Sequence, residues 1–253
     1  TPAPNRTVDT VTPAIRVEIQ NRDTTLSPGT VKLELNGKTV VPTITTTAGG
    51  AVVDYAIAPL PASGATNTAK LSFKDSLASE VSSEWSFVVT YRSLDPANRR
   101  PGPGLQRGLK VRVVQAPTGS ALANDLQRAE DQLAPNSTIP AFYQTNAVLQ
   151  LIDLAQDDRT SGFFQNETLV PGLDEGLNGT DDFAVEITAW LELPAGVQRF
   201  GLVTDDGYKI SSGRSPNDKE PVLAYHNGGT ASETFDFVVS EAGFYPFRML
   251  WYE

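Results

Sequence analysis

Phe200-Gly-Leu-Val-Thr-Asp-Asp-Gly-Tyr-Lys-Ile210 is an apolar strand that runs into two carboxylates and a glycine and leaves as a second strand. Further on, Glu241-Ala-Gly-Phe-Tyr-Pro-Phe-Arg-Met-Leu-Trp251 is a strand entered through a glycine turn, with aromatics on alternating positions. Alternation of this kind marks a strand with one face buried. Two adjacent carboxylates repel, and their charge is best tolerated where a cation neutralises it. Asp-Gly also favours a type I′ bend, so Asp205-Asp206-Gly207 equally satisfies a plain hairpin turn.

Outward from these stretches, residues 109–114, 149–154, 184–193, 197–203, 208–211, 233–239 and 243–252 read as strands separated by acidic or glycine-rich loops. One helix is expected, over 120–134. It carries a stripe of Leu122, Leu126, Ala129 and Leu133, has Ser120 as N-cap and stops before Pro135. Together these elements make a domain over 108–253. Residues 93–107, with three prolines, two glycines and an excess of arginine, read as a semi-rigid solvated linker. Its Arg99, Arg100 and Arg107 offer a docking point for an acidic neighbour.

Residues 1–92 read as an earlier all-β domain. Residues 14–19 and 31–35 alternate, Leu26-Ser-Pro-Gly29 reads as a turn, and Asn36-Gly37 is a strong hairpin signal into a return strand over 39–45. Strands over 52–57, 69–73 and 85–91 complete a regular spacing that argues for a sandwich. The order resembles bacterial Ig-like or fibronectin-like modules.

The two stretches quoted first, with the layout of 108–253, resemble the protective-antigen-type β-sandwich domain shared by anthrax-toxin protective antigen, yeast flocculins and some bacterial glycosidases. The fold class is therefore expected to be all-β: an Ig-like sandwich followed by a protective-antigen-type sandwich with one short helix. Members of that family run on past the last aromatic strand, so 108–253 is expected to be short of an edge strand. In its sugar-binding members the Asp-Asp peptide is cis. Both side chains face one calcium ion, helped by an asparagine and backbone carbonyls from a neighbouring loop. The resemblance thus implies calcium at Asp205 and Asp206. Position alone adds Asn227, from Tyr225-His-Asn-Gly-Gly229, as side-chain ligand, with His226 beside it as a contact for the bound ligand.

Other acidic stretches fit calcium less well. Asp174, Glu175, Asp181 and Asp182 lie in one loop outside the calcium-loop register, and Asp157-Asp158 reads as a turn. Composition removes several classes. A net charge of −10 argues against nucleic acid, and the absence of cysteine removes disulfides and thiolate chemistry. One histidine cannot build a common zinc site, and no Gly-x-Ser-x-Gly elbow accompanies it. Gly102-Pro-Gly104 lies in the linker and is no dinucleotide fingerprint. No apolar run reaches the roughly 18 residues that span a bilayer, so no membrane insertion is expected. Trp85, Trp190 and Trp251 sit on strand patterns and are expected in cores.

The expectation is a non-catalytic adhesive or structural segment of an exported bacterial surface protein, binding glycans with calcium. Two alternatives stay open. One is a homo-oligomeric filament subunit pairing strands with neighbouring protein subunits. The other is an accessory region of a secreted glycosidase.

Overall fold

Asn36 and Gly37 both adopt positive φ, 51° and 74°, and close the hairpin whose register pairs Leu35 with Lys38. That conformation excludes most side chains and suits these two. The computed structural model describes residues 1–156 and 167–253; Asp157 and Asp158 lie outside them.

The chain divides into two units, Thr1–Arg92 and Ser93–Glu253. The first holds β1 (Arg6–Asp9), β2 (Ala14–Gln20), β3 (Leu26–Leu35), β4 (Lys38–Val40), β5 (Thr43–Thr47), β6 (Gly50–Ala56), β7 (Thr66–Asp75) and β8 (Glu80–Thr90). They form a sheet in the order β1-β8-β7-β3-β4 and another in the order β2-β6-β5. Ile15, Leu33, Val53, Leu71, Phe87 and Val89 cluster in the core, drawn from five strands, with Phe87 and Val89 both from β8.

Two local expectations are corrected here. The return strand after Asn36-Gly37 is two strands in different sheets, because Val41-Pro42 interrupts it and Pro42 has no N–H to give to a ladder. Residues 26–29 are not a turn but the start of β3, whose register shifts between Ser27 and Lys32. Thr30 fills that irregularity, donating from Oγ1 to Ser27 O at 2.7 Å and accepting from Lys74 N at 2.8 Å.

The second unit holds β9 (Ser93–Leu94), β10 (Leu109–Gln115), α1 (Leu126–Gln132), β11 (Tyr143–Leu149), β12 (Leu154–Ala155), β13 (Thr168–Leu169), α2 (Glu175–Asn178), β14 (Phe183–Leu193), β15 (Gly196–Thr204), β16 (Tyr208–Ser211), β17 (Val222–His226), β18 (Ala231–Val239) and β19 (Gly243–Tyr252). Its large sheet runs β11-β10-β14-β19-β16-β17 and its small one β15-β18-β9. Between them lie Tyr208, Phe235, Phe237, Tyr245 and Phe247, with Phe200 packed against them edge-on to Phe237 at 5.0 Å. The chain is all-β in architecture, and the described residues include two short α-helices rather than one.

The segment expected as a linker belongs to the second unit. Ser93 and Leu94 pair in parallel with Val238 and Val239, and Leu94 is buried. Arg99 then bridges Glu241 at 3.0 Å, and the Arg100 guanidinium lies 4.4 Å from the Trp190 ring centroid. Backbone pairing at Ser93–Leu94 and at Arg100–Phe244, the buried Leu94 and the two arginine contacts together dock a stretch that composition marks as solvated.

The helix also starts later than its leucine stripe suggests. Asp125, not Ser120, is the N-cap and accepts from Arg128 N at 2.7 Å. Ala121 has φ 49°, which no helix interior contains, so Leu122 falls ahead of the first turn. Ala129 and Leu133 pack with Val114, Ala184, Leu250 and Tyr252 on the outer face of the large sheet.

Candidate metal centre

β15 pairs with β18, whereas β16 pairs with β17 and β19. Asp205-Asp206-Gly207 is therefore no hairpin turn. It is the three-residue step by which the chain leaves the small sheet and enters the large one. The step hangs on the end of β19: Asp206 N donates to Tyr252 O at 3.0 Å, Tyr252 N to Gly207 O at 3.3 Å, and Trp251 Nε1 to Asp205 O at 2.8 Å. The Asp205–Asp206 peptide is cis. Gly207 cannot be replaced cheaply, since a Cβ there would stand 2.3 Å from the Tyr252 hydroxyl and 2.7 Å from His226 O.

Asp205 is exposed and Asp206 half-buried. Each is oriented by a neutral donor: Thr230 Oγ1 gives to Asp205 Oδ1 at 2.8 Å, and Asn124 Nδ2 to Asp206 Oδ2 at 2.6 Å. A third carboxylate joins them. Oxygens of Asp205, Asp206 and Glu253 all lie within 4.8 Å of one another. Glu253 is held there by the ladder at the end of β19, where its N–H and carbonyl pair with Phe183 at 3.2 and 3.1 Å. Its Oε2 is buried and has no hydrogen-bond partner among the described residues.

Charge crowding is visible in the proton affinities. Burial, then the charges of Asp206, Asp205 and Asp181, push the Glu253 carboxyl up to about 7. Burial and the neighbouring Asp205 raise Asp206 as well, against the pull of Asn124 and Arg128. Arg128 stands nearby but gives its hydrogen bonds to neutral oxygens: Ala123 O, Gln132 Oε1, Phe183 O and Glu253 O. Among the described residues none of the three carboxylates forms an ion pair. Hard oxygen donors in this number and an orphaned buried oxygen suit a calcium ion, which takes about six to eight oxygens.

The two other residues singled out from the sequence lie differently. The loop carrying Asn227 does reach the centre, since a Cβ on Gly229 would be 3.7 Å from Asp206 Oδ1. The Asn227 Oδ1 itself accepts from Leu126 N at 2.7 Å and from the Tyr252 hydroxyl at 3.2 Å, so both its lone pairs are engaged. His226 ends β17 rather than lying in a loop, and its Nδ1 is 3.1 Å from Glu233 Oε1. Glu233 also accepts from the Tyr208 hydroxyl at 2.7 Å.

Asn124 and Glu253 were missed in the sequence. Nothing local marks either: Asn124 falls within the expected helix, and Glu253 is one acid after an aromatic strand. α1 is itself pinned by a buried cluster. Arg248 reaches both Glu130 oxygens at 2.8 and 2.9 Å and Glu186 at 2.6 Å, and Lys209 and Lys219 each meet Glu130 at 2.8 Å. The acidic stretch 174–182 contains α2; the charge of Asp181 bears on Glu253 and that of Asp182 on Arg128.

No family model matches the chain, and no curated protein matches it. Among solved structures it is similar to the PA14 domain of the antifreeze protein MpAFP, with 18% identity, 63% of this chain and 80% of that one covered, and a TM-score of 0.39. It is also similar to the A domain of epithelial adhesin 9 from Candida glabrata in complex with Galβ1-3GlcNAc, with 15% identity, 63% and 79% covered, and a TM-score of 0.34. A mixed-linkage glucan utilization protein of Bacteroides ovatus, in complex with a heptasaccharide, matches at 9% identity, 97% and 93% covered, and a TM-score of 0.24. At scores this low the likenesses carry no weight for function.

Proposed function

We propose that the second unit is a non-catalytic, calcium-dependent glycan-binding module of an extracellular or cell-surface protein. The observation that carries this reading is the pair Asp205 and Asp206 at the step between the two sheets, oriented by Thr230 and Asn124 and lacking an ion pair among the described residues. Calcium bound there supplies open coordination positions for neighbouring hydroxyls of a sugar. The chain's own part is positional. Asp205 faces solvent, Asp206 anchors from below, and Gly207 keeps side-chain bulk out of the step. Asn227 holds its loop against the start of α1 beside them.

The test is calorimetric titration of the whole chain with calcium, with Asp206→Asn as control, followed by a glycan screen with and without the ion. The expected result is a binding heat that the substitution abolishes and glycan retention only when calcium is present. No heat in the unsubstituted protein would overturn the reading.

A further inference from the structure

We propose that the open edge of β15 takes up a β-strand of another protein, an extended segment with apolar residues at alternate positions and basic residues at its ends. The site is the backbone edge of the small sheet and does not depend on an ion at the aspartates.

A mostly apolar cavity of about 770 Å³ lies between the two sheets of the second unit. Its wall includes five consecutive residues of β15, Phe200 to Thr204. Successive side chains of a strand point to opposite faces, so a wall of consecutive residues is the backbone edge of β15 and not one of its faces. That edge is unpaired among the described residues, since β15 ends the small sheet and bonds only to β18. A row of unmet N–H and C=O groups is a template for a further strand. At the end of the row Thr204, 8% exposed, has its Oγ1 buried without a hydrogen-bond partner among the described residues. A buried hydroxyl in that state is costly until something satisfies it.

The floor of the cavity sets what the strand must carry. β14 presents Ile187, Ala189 and Leu191 there, at two-residue intervals. A strand laid along β15 runs above them with its own side chains recurring at the same interval, so those side chains must be apolar. Main-chain bonds to β15 supply affinity and this alternation supplies specificity. Charge selects the partner. Asp153, Glu167 and Asp205 border the cavity, and none forms an ion pair among the described residues. The Arg248 guanidinium that also reaches it is taken by Glu130 and Glu186. Basic ends on the strand answer these carboxylates, whereas a second copy of this chain, at net charge −10, is repelled.

The experiment measures binding of the whole chain, by fluorescence anisotropy, to a labelled peptide that alternates valine with threonine between terminal lysines. A peptide of the same composition with its valines in one block controls for pattern. A third version has ester links in place of the amides and so lacks the N–H donors without added bulk. Ala189→Phe, which fills the floor, is measured alongside, with thermal unfolding as the check that it folds.

The alternating peptide should bind, and the blocked one should not. The ester backbone and Ala189→Phe should each weaken binding about tenfold or more, because several hydrogen bonds or the floor contacts are lost. No binding of the alternating peptide would overturn the proposal. Equal binding of the ester version would do the same, leaving a cavity for apolar bulk alone, as would unchanged binding to a folded Ala189→Phe. A dimer in sedimentation velocity without peptide would assign the edge to a second copy instead.

Discussion

Arg248 and Glu130 meet as a bidentate pair, Nη1 and Nη2 on the two carboxylate oxygens at 2.8 and 2.9 Å, with both residues buried between α1 and the large sheet. Planar fork-on-carboxylate geometry is the strong form of the charged hydrogen bond. The pair holds α1 in place, and α1 in turn follows directly on Asn124 and receives Asn227.

Removing one partner of such a pair leaves the other charge buried and uncompensated. Arg248→Ala is expected to cost about 3–5 kcal/mol of stability. Replacing Arg248 by Met and Glu130 by Leu together, which still leaves Lys209 and Glu186 without these partners, should cost less than the sum of the two single replacements. Urea denaturation of the single and double variants measures the difference, and losses that simply add would refute this account.

Acid should attack the same cluster. Burial alone would raise the Glu130 carboxyl, but hydrogen bonds from Arg248, Lys209 and Lys219 outweigh it and bring it down to about 2. A depressed carboxylate contributes stability that is fully present above its unfolded value of 4.5 and is lost as pH falls towards 2. The contribution is about 3 kcal/mol at roughly 1.4 kcal/mol per pH unit. Stability measured across that window should decline, and Glu130→Gln should flatten the decline.

Gly207→Ala would place a methyl group 2.3 Å from the Tyr252 hydroxyl. Forcing an atom into that space should cost about 1–3 kcal/mol. The calcium heat should weaken as well, because the displaced step carries both aspartates. A variant with unchanged stability and unchanged heat would contradict the described packing.

Asn227→Ala separates two roles for one residue. Its oxygen takes the first N–H of α1, so its loss should cost about 0.5–2 kcal/mol, as removal of a capping side chain does. The calcium heat should survive at reduced affinity. Complete loss of that heat, with the protein still folded, would make Asn227 a ligand.

Leu94→Ala tests whether residues 93–100 are part of the second unit. Leu94 is buried against β18, and its truncation should cost about 2–4 kcal/mol in thermal or urea unfolding. A free linker would lose nothing.

Much of the architecture was legible because strand alternation is a local property. The expected strand over 208–211 coincides with β16, and 243–252 with β19; Asn36-Gly37 closes its hairpin because both residues tolerate positive φ. The pairing of two aspartates before a glycine was legible for the same reason.

What the tertiary structure decided is everything that depends on partners distant along the chain. Asp-Asp-Gly between two apolar runs reads identically whether those strands pair or part, and only the sheet registers show that they part. Asn124 reaches Asp206, and Glu253 reaches both aspartates, across separations that no periodicity encodes. Glu130 looks like one more surface charge on a helix until Arg248, Lys209 and Lys219 close round it. Local chemistry sets which residues turn, extend or carry charge; long-range packing sets which of those charges meet, because Coulomb and hydrogen-bond energies depend on separation in space and not along the chain.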